Sequence, residues 1–174
     1  EYEIGRIREA AQISADAHEF VREHSYAKRN ERQLQGLLEG FFLDKGARGP
    51  AYNSIVASGD NACVLHYTSN NCELKQGELV LIDAGCSLMD YYNADITRTF
   101  PIGGKFSSEQ KAIYEIVLEA QKIAIRNAIS GVDSNHIHNS ALKVLIDGLK
   151  ELSLLRGNTD GIIESGSYRH LYMH

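Results

Sequence analysis

Apolar residues recur along this chain with two different periods, and the periods divide it into helices and strands. Ile4, Ile7, Ala11, Ala15, His18 and Val21 keep a spacing of three to four, which predicts one amphipathic helix over residues 3–24. Asn30 with Gln33 forms a capping box ahead of Leu34, Leu37, Leu38 and Phe41, predicting a second helix that Gly46, Gly49 and Pro50 stop. Strand-like runs follow at residues 52–57 and 62–67. Two more lie at 79–86 and 91–100, the last closed by Pro101. Ser107 with Gln110 makes another capping box, opening a helix with Ile113, Ile116, Val117, Ala120, Ile123 and Ala124 on one face and Gly131 at its end. A last helix over 134–152 turns Ile137, Ala141, Val144, Leu145, Leu149 and Leu152 inward. No internal repeat and no low-complexity linker interrupts the pattern. The segregation of helices from strands predicts an α+β chain, helices packed on a curved, mostly antiparallel sheet.

One polar residue breaks each strand of the last pair. Asp83 interrupts the apolar run Leu79-Val80-Leu81-Ile82, and Asp95 precedes Ile96-Thr97-Arg98-Thr99-Phe100. A hairpin centred on Met89 puts the two aspartates directly opposite, on one face, with Cβ atoms roughly 4.5–5.5 Å apart. Two ionised carboxylates that close repel, and an apolar strand pair does not solvate them. They either share a proton or hold a cation. The plain alternative is that Asp95, after Asn93-Ala94, is a turn residue. A register slipped by one would also throw the pair onto opposite faces.

Composition narrows the class. The 174 residues carry 43% hydrophobic and 24% charged side chains, ordinary for a globular protein with one core or part of a larger one. A formal net charge of −5 with scattered Lys and Arg leaves no footprint for nucleic acid. No apolar segment approaches the roughly 18–20 residues that span a membrane. The sequence opens without Met or a signal peptide, which reads as a fragment or processed product. Cys63, Cys72 and Cys86 lack zinc-like spacing and read as thiols of a reducing cytoplasm, with a Cys63–Cys72 disulfide as the alternative. Cys86, three residues after Asp83, alternates to the opposite face and reads as core.

His66 lies in the strand-like run Cys63-Val64-Leu65-His66-Tyr67-Thr68. Alone, such a histidine is more often structural; beside a carboxylate pair it becomes a candidate to hydrogen-bond a substrate carbonyl or a reaction intermediate. His18 and His24 on a helix, and His136 and His138 at a helix start, read as solvated.

Four strings together carry a family resemblance: Ala51-Tyr52-Asn53-Ser54-Ile55-Val56-Ala57-Ser58-Gly59, Leu65-His66-Tyr67-Thr68, Leu81-Ile82-Asp83-Ala84-Gly85-Cys86 and Asp95-Ile96-Thr97-Arg98-Thr99-Phe100-Pro101. In order and spacing they resemble the catalytic domain of aminopeptidase P. These are Xaa-Pro aminopeptidases of the pita-bread (creatinase/aminopeptidase) metallopeptidase fold, related to prolidase and methionine aminopeptidase. The resemblance runs over nearly the whole chain and is densest around residues 51–110.

The resemblance implies a two-metal peptidase, usually with manganese, whose ions are held by two Asp, one His and two Glu. Residue by residue, Asp83 matches the first aspartate, binding one metal, and Asp95 the bridging one. His66 matches the substrate-side histidine, and His174 one beside the active site that contacts substrate. The implied activity is hydrolysis of the bond between an N-terminal residue and a following proline, by metal-hydroxide attack. The implied partners are peptides with proline second, and the implied assembly is a homo-oligomer of the full-length parent. The remaining His and both Glu ligands, and the family's N-terminal domain, do not occur within these 174 residues. Residues 1–174 therefore read as the first half to two-thirds of the catalytic domain, inactive alone and with apolar surface exposed. A prolidase-like Xaa-Pro dipeptidase and a non-catalytic pita-bread binding module are the alternatives.

Overall fold

The computed structural model describes residues 1–172, and within them the chain forms two compact units, the first over residues 1–106 and the second from residue 107 onward. The first unit opens with α1 (Tyr2–Glu23) and α2 (Glu31–Asp44). It continues through β1 (Gly49–Pro50), β2 (Ile55–Ser58), a 3-10 turn at Gly59–Cys63, β3 (Leu79–Asp83), β4 (Cys86–Ser87) and β5 (Thr97–Pro101). Strands β2, β3 and β5 form an antiparallel sheet with β3 central, and β1 pairs with β4. The α+β class expected from the sequence is the class observed.

Local signals placed the helices well. Both capping boxes form: Asn30 accepts from the Arg32 amide while Gln33 reaches back to the Asn30 amide, and Ser107 and Gln110 do the same for α3. The buried stripes, however, are rotated. In α1 the core face is Ala10, Ser14, Ala17, His18 and Val21, while Ile4 and Ile7 are exposed. Small residues win because the helix lies close against β4: the Cys86 amide donates to Ser14 Oγ at 2.9 Å, and the Cys86 thiol meets the Ala10 carbonyl at 3.4 Å. Cys86 is core, as expected, and burial raises its thiol pKa. In α2 the stripe is Leu34, Leu38 and Phe42, with Leu37 and Phe41 only partly buried. These side chains pack with Val56, Val80 and Ile82 of the sheet and with Leu74 from the segment before β3.

The run at 62–67 is not a strand. It is the end of the 3-10 turn followed by a turn through His66, whose φ is +53°, and the surrounding segment 59–72 is a loop. A strand here would need hydrogen-bonding neighbours; β2 already takes β3 on one side, and side chains occupy its other edge.

The second unit holds α3 (Ser108–Asn127), α4 (Ser134–Glu151) and α5 (Thr159–Ser165), then a short 3-10 turn at Ser167–His170. Its core is Leu142, Ile146, Leu155, Ile162 and Tyr168. Of the apolar face expected for α3, Ala120 is buried, Ile116, Ile123 and Ala124 are partly buried, and Ile113 and Val117 are exposed. Helix α3 ends at Asn127, before the Gly131 expected to stop it. All three cysteines are free thiols, so the disulfide alternative falls away.

Candidate metal centre

Asp83 is the last residue of β3, and the sheet gives it Ile55 on one side and Thr97 on the other. The hairpin register is therefore two residues away from the one centred on Met89, and Asp95 is not directly opposite Asp83. It sits two residues ahead of Thr97, diagonal to Asp83. A slip of two preserves the side-chain face where a slip of one would invert it, so the expectation of a shared face survives a wrong register. Asp83 is half-buried and Asp95 exposed.

What joins them is Tyr52, in the bend before β2. Its hydroxyl lies 2.6 Å from Asp83 Oδ1 and 2.8 Å from Asp95 Oδ1. A phenol has one hydrogen to donate, so the two carboxylates compete for it. Burial, then hydrogen bonding to Asp83 and Asp95 and their negative charge, raise the Tyr52 pKa well above the tyrosine range, and the hydroxyl stays protonated. Tyr52 stands inside one of the four motif strings without a role predicted for it, because no local signal marks a tyrosine whose hydroxyl meets residues 31 and 43 positions onward.

The strip between the aspartates is held from below. Ala84 donates to the Ile96 carbonyl at 3.1 Å, Ala94 to Cys86 at 3.0 Å, and Gly85 accepts from Ala51 at 2.8 Å. His18, read from the sequence as solvated, is buried instead and its Nε2 bonds the Ala84 carbonyl at 2.9 Å. Burial lowers its pKa, so the neutral ring with Nε2–H donating is the favoured form. It anchors α1 to the residue next to Asp83. His24 caps the end of α1, half-buried on Phe20 with its Nδ1 at the Phe20 carbonyl. His136 and His138 are exposed, as expected.

A cavity of about 390 Å³ opens over the pair, lined by Asp83, Asp95, Tyr52, Asn53, Ile55, Thr68 and His66. The loop thus brings His66 to the carboxylates although it is not in a strand. His174 lies outside the described residues.

The donor set suits a cation: two carboxylates converge on one hydroxyl, and neither Lys nor Arg lines the cavity. Oxygen ligands of this kind suit a divalent cation. Among the described residues no cluster of three or more His, Cys, Asp or Glu is assembled, so this chain contributes a pair rather than a closed site.

Fold and site together define a metallopeptidase scaffold, and the chain belongs to metallopeptidase family M24, whose model matches residues 5–174. Within that family it is similar to the Xaa-Pro aminopeptidase of Haemophilus influenzae, 44% identical over 172 residues, covering 99% of this chain and 40% of that protein. Among solved structures it is similar to zinc-substituted Escherichia coli aminopeptidase P in complex with product, with a TM-score of 0.95, 41% identity, and coverage of 99% of this chain and 39% of that one. Pseudomonas aeruginosa aminopeptidase PepP gives a TM-score of 0.94 and 46% identity, with the same coverage. The chain therefore spans about two-fifths of the length of the relatives it matches.

Proposed function

We propose that this chain is the metal-binding first part of the catalytic domain of an Xaa-Pro aminopeptidase. The whole protein would remove an N-terminal residue that precedes proline. The observation that carries this reading is the convergence of Asp83 and Asp95 on the Tyr52 hydroxyl, in a cavity that also receives His66. Homology to Xaa-Pro aminopeptidases over nearly the whole chain supports the substrate class.

Asp83 and Asp95 would both serve as ligands to divalent ions, two being expected and manganese the expected metal. Divalent ions there supply Lewis acidity toward the peptide carbonyl and a nucleophile at neutral pH. Asp83 and Asp95 fix where charge is neutralised, and Tyr52 restrains both carboxylates on one face of the sheet. His66, across the cavity, hydrogen-bonds the substrate near the scissile peptide and steadies charge as it develops. By the family resemblance, His174 would contact substrate. Three further ligands come from outside this sequence, so the 174 residues alone are expected to bind metal weakly and cleave nothing. The full-length protein is expected to be a homo-oligomer, and free thiols at Cys63 and Cys72 suit a reducing cytoplasm.

Manganese titration by calorimetry, with Xaa-Pro-Xaa cleavage in parallel, tests the reading on the full-length protein and its Asp95→Ala variant. Two sites and cleavage in the parent, both lost in the variant, are expected. A variant that keeps stoichiometric manganese and full activity overturns the assignment of Asp95.

A further inference from the structure

Glu31 is the first residue of α2 and is fully buried, yet none of its partners among the described residues is a cation. Its Oε1 accepts from the Ser58 amide at 2.8 Å, the Ser58 hydroxyl at 2.7 Å and Asn61 Nδ2 at 3.1 Å. Its Oε2 accepts from the Tyr67 hydroxyl at 2.8 Å and the Cys72 amide at 3.0 Å. A buried carboxylate would normally be protonated or costly. Here burial pushes its pKa up, and the hydrogen bonds from Cys72, Asn61 and Ser58 more than reverse that, leaving it lowered. The α2 N-terminus adds a favourable dipole.

The donors are not scattered. Ser58 ends β2, Cys72 closes the loop, and Asn61 and Tyr67 lie between; Tyr67 is the neighbour of His66. The rest of the first turn of α2 grips the same loop: Asn30 Nδ2 donates to the Asn71 carbonyl at 2.7 Å, and Arg32 to that of Ser69 at 2.6 Å. Asn70, buried with φ +45°, accepts from the Val56 amide at 3.0 Å and donates to the Ser54 carbonyl at 2.8 Å. Val56 and Ser58 are the alternate residues of β2 whose amides point away from β3. Both edge amides are therefore met by side chains, from Asn70 and Glu31, and the loop hangs on the sheet edge in place of a further strand.

We infer that Glu31 is the positioning residue for His66: its carboxylate clamps the loop 59–72 so that the histidine is held over Asp83 and Asp95. This rests on the proposed peptidase reading for its effect on turnover, while the clamp itself stands on the geometry. His66 is an exposed ring on a residue with φ +53°, a left-handed conformation uncommon outside glycine. Glutamine cannot replace Glu31, because an amide presents donors toward either Ser58 and Asn61 or Tyr67 and Cys72.

The test uses the full-length protein with Glu31→Gln, Tyr67→Phe, His66→Ala and the two double variants with His66→Ala. Hydrogen exchange is followed by mass spectrometry, with manganese stoichiometry, kcat and KM on an Xaa-Pro-Xaa peptide. Expected are exchange at 59–72 raised about tenfold or more with β3 and β5 unchanged, full manganese occupancy, and kcat lowered about tenfold or more with KM nearly unchanged. With His66 already alanine, the second substitution is expected to change kcat by less than about twofold. Additive losses, or exchange that stays at wild-type level, overturn the assignment. Tyr67→Phe keeps the carboxylate and the other donors, so it decides the matter if Glu31→Gln does not fold. A wild-type protein that binds no manganese and cleaves nothing defeats the peptidase reading instead, and the exchange measurement then still decides the clamp.

Discussion

Gly85 lies against Ala94 so closely that no side chain fits between them: a Cβ on Gly85 would sit 1.8 Å from the Ala94 carbonyl oxygen. The two residues are the inner neighbours of the carboxylate pair, Gly85 two positions after Asp83 and Ala94 one before Asp95. The glycine is needed for close backbone approach rather than for an unusual φ.

Gly85→Ala should therefore separate the strands that carry the two aspartates. Because the obstacle is backbone, the expected loss is about 2–3 kcal/mol of stability. Urea denaturation would read that loss, and calorimetry on the full-length variant should show weakened manganese binding. Unchanged stability and affinity would mean that the strip shifts freely.

Tyr52→Phe removes the one donor that both carboxylates share while leaving the ring. The expected cost to the metal-free protein is about 1 kcal/mol, discounted from a typical charged hydrogen bond because Asp95 is exposed. Added manganese should shrink the difference between variant and wild type, since the cation takes over the neutralisation. Thermal denaturation with and without the ion checks this.

The Glu31 clamp should fail at both ends of the pH scale. The Glu31 pKa is lowered from 4.5, so its contribution is complete above that value and is lost as pH falls through the lower folded-state pKa. The Tyr67 pKa is raised from 10.0 to about 12 by burial and by its bond to Glu31, so its contribution is full below 10.0 and lost as pH rises through about 12. Stability against pH in wild type and Glu31→Gln should show the acid slope flattened in the variant.

In the second unit, Gly148 on α4 leaves no room for a Cβ, which would lie 2.7 Å from Ile116 Cγ1 and Cγ2 on α3. Alanine would gain roughly 1 kcal/mol of helix propensity, but overpacking costs about 1–3 kcal/mol. A net loss of about 1 kcal/mol is expected for Gly148→Ala, and in a denaturation series the double variant with Ile116→Ala, which removes both γ carbons, should lose less than the sum of the two single variants.

The helices and the aspartate pair were legible because their signals are short-range. A capping box such as Asn30 with Gln33 spans four residues and forms wherever the chain allows it. The shared face of Asp83 and Asp95 is a matter of parity, which survived a hairpin register displaced by two. Membership of the aminopeptidase-like family was readable from four strings in order. The buried stripe of α1 was not, because hydrophobicity favours Ile4 and Ile7 while close approach to Cys86 selects Ala10 and Ser14.

By itself, then, the sequence determined the α+β class, the starts of the four long helices but not of α5, the carboxylates on one side of a strand pair and the kinship that names their chemistry. Tertiary structure alone decided that Tyr52 lies between those carboxylates, that His18 is buried beneath them, and that His66 rides a loop rather than a strand. The physical reason is distance along the chain. Glu31 and Ser58 are 27 residues apart, and Tyr52 and Asp95 are 43 apart. Which distant donor satisfies which buried acceptor is settled only when the sheet edge and the first turn of α2 meet.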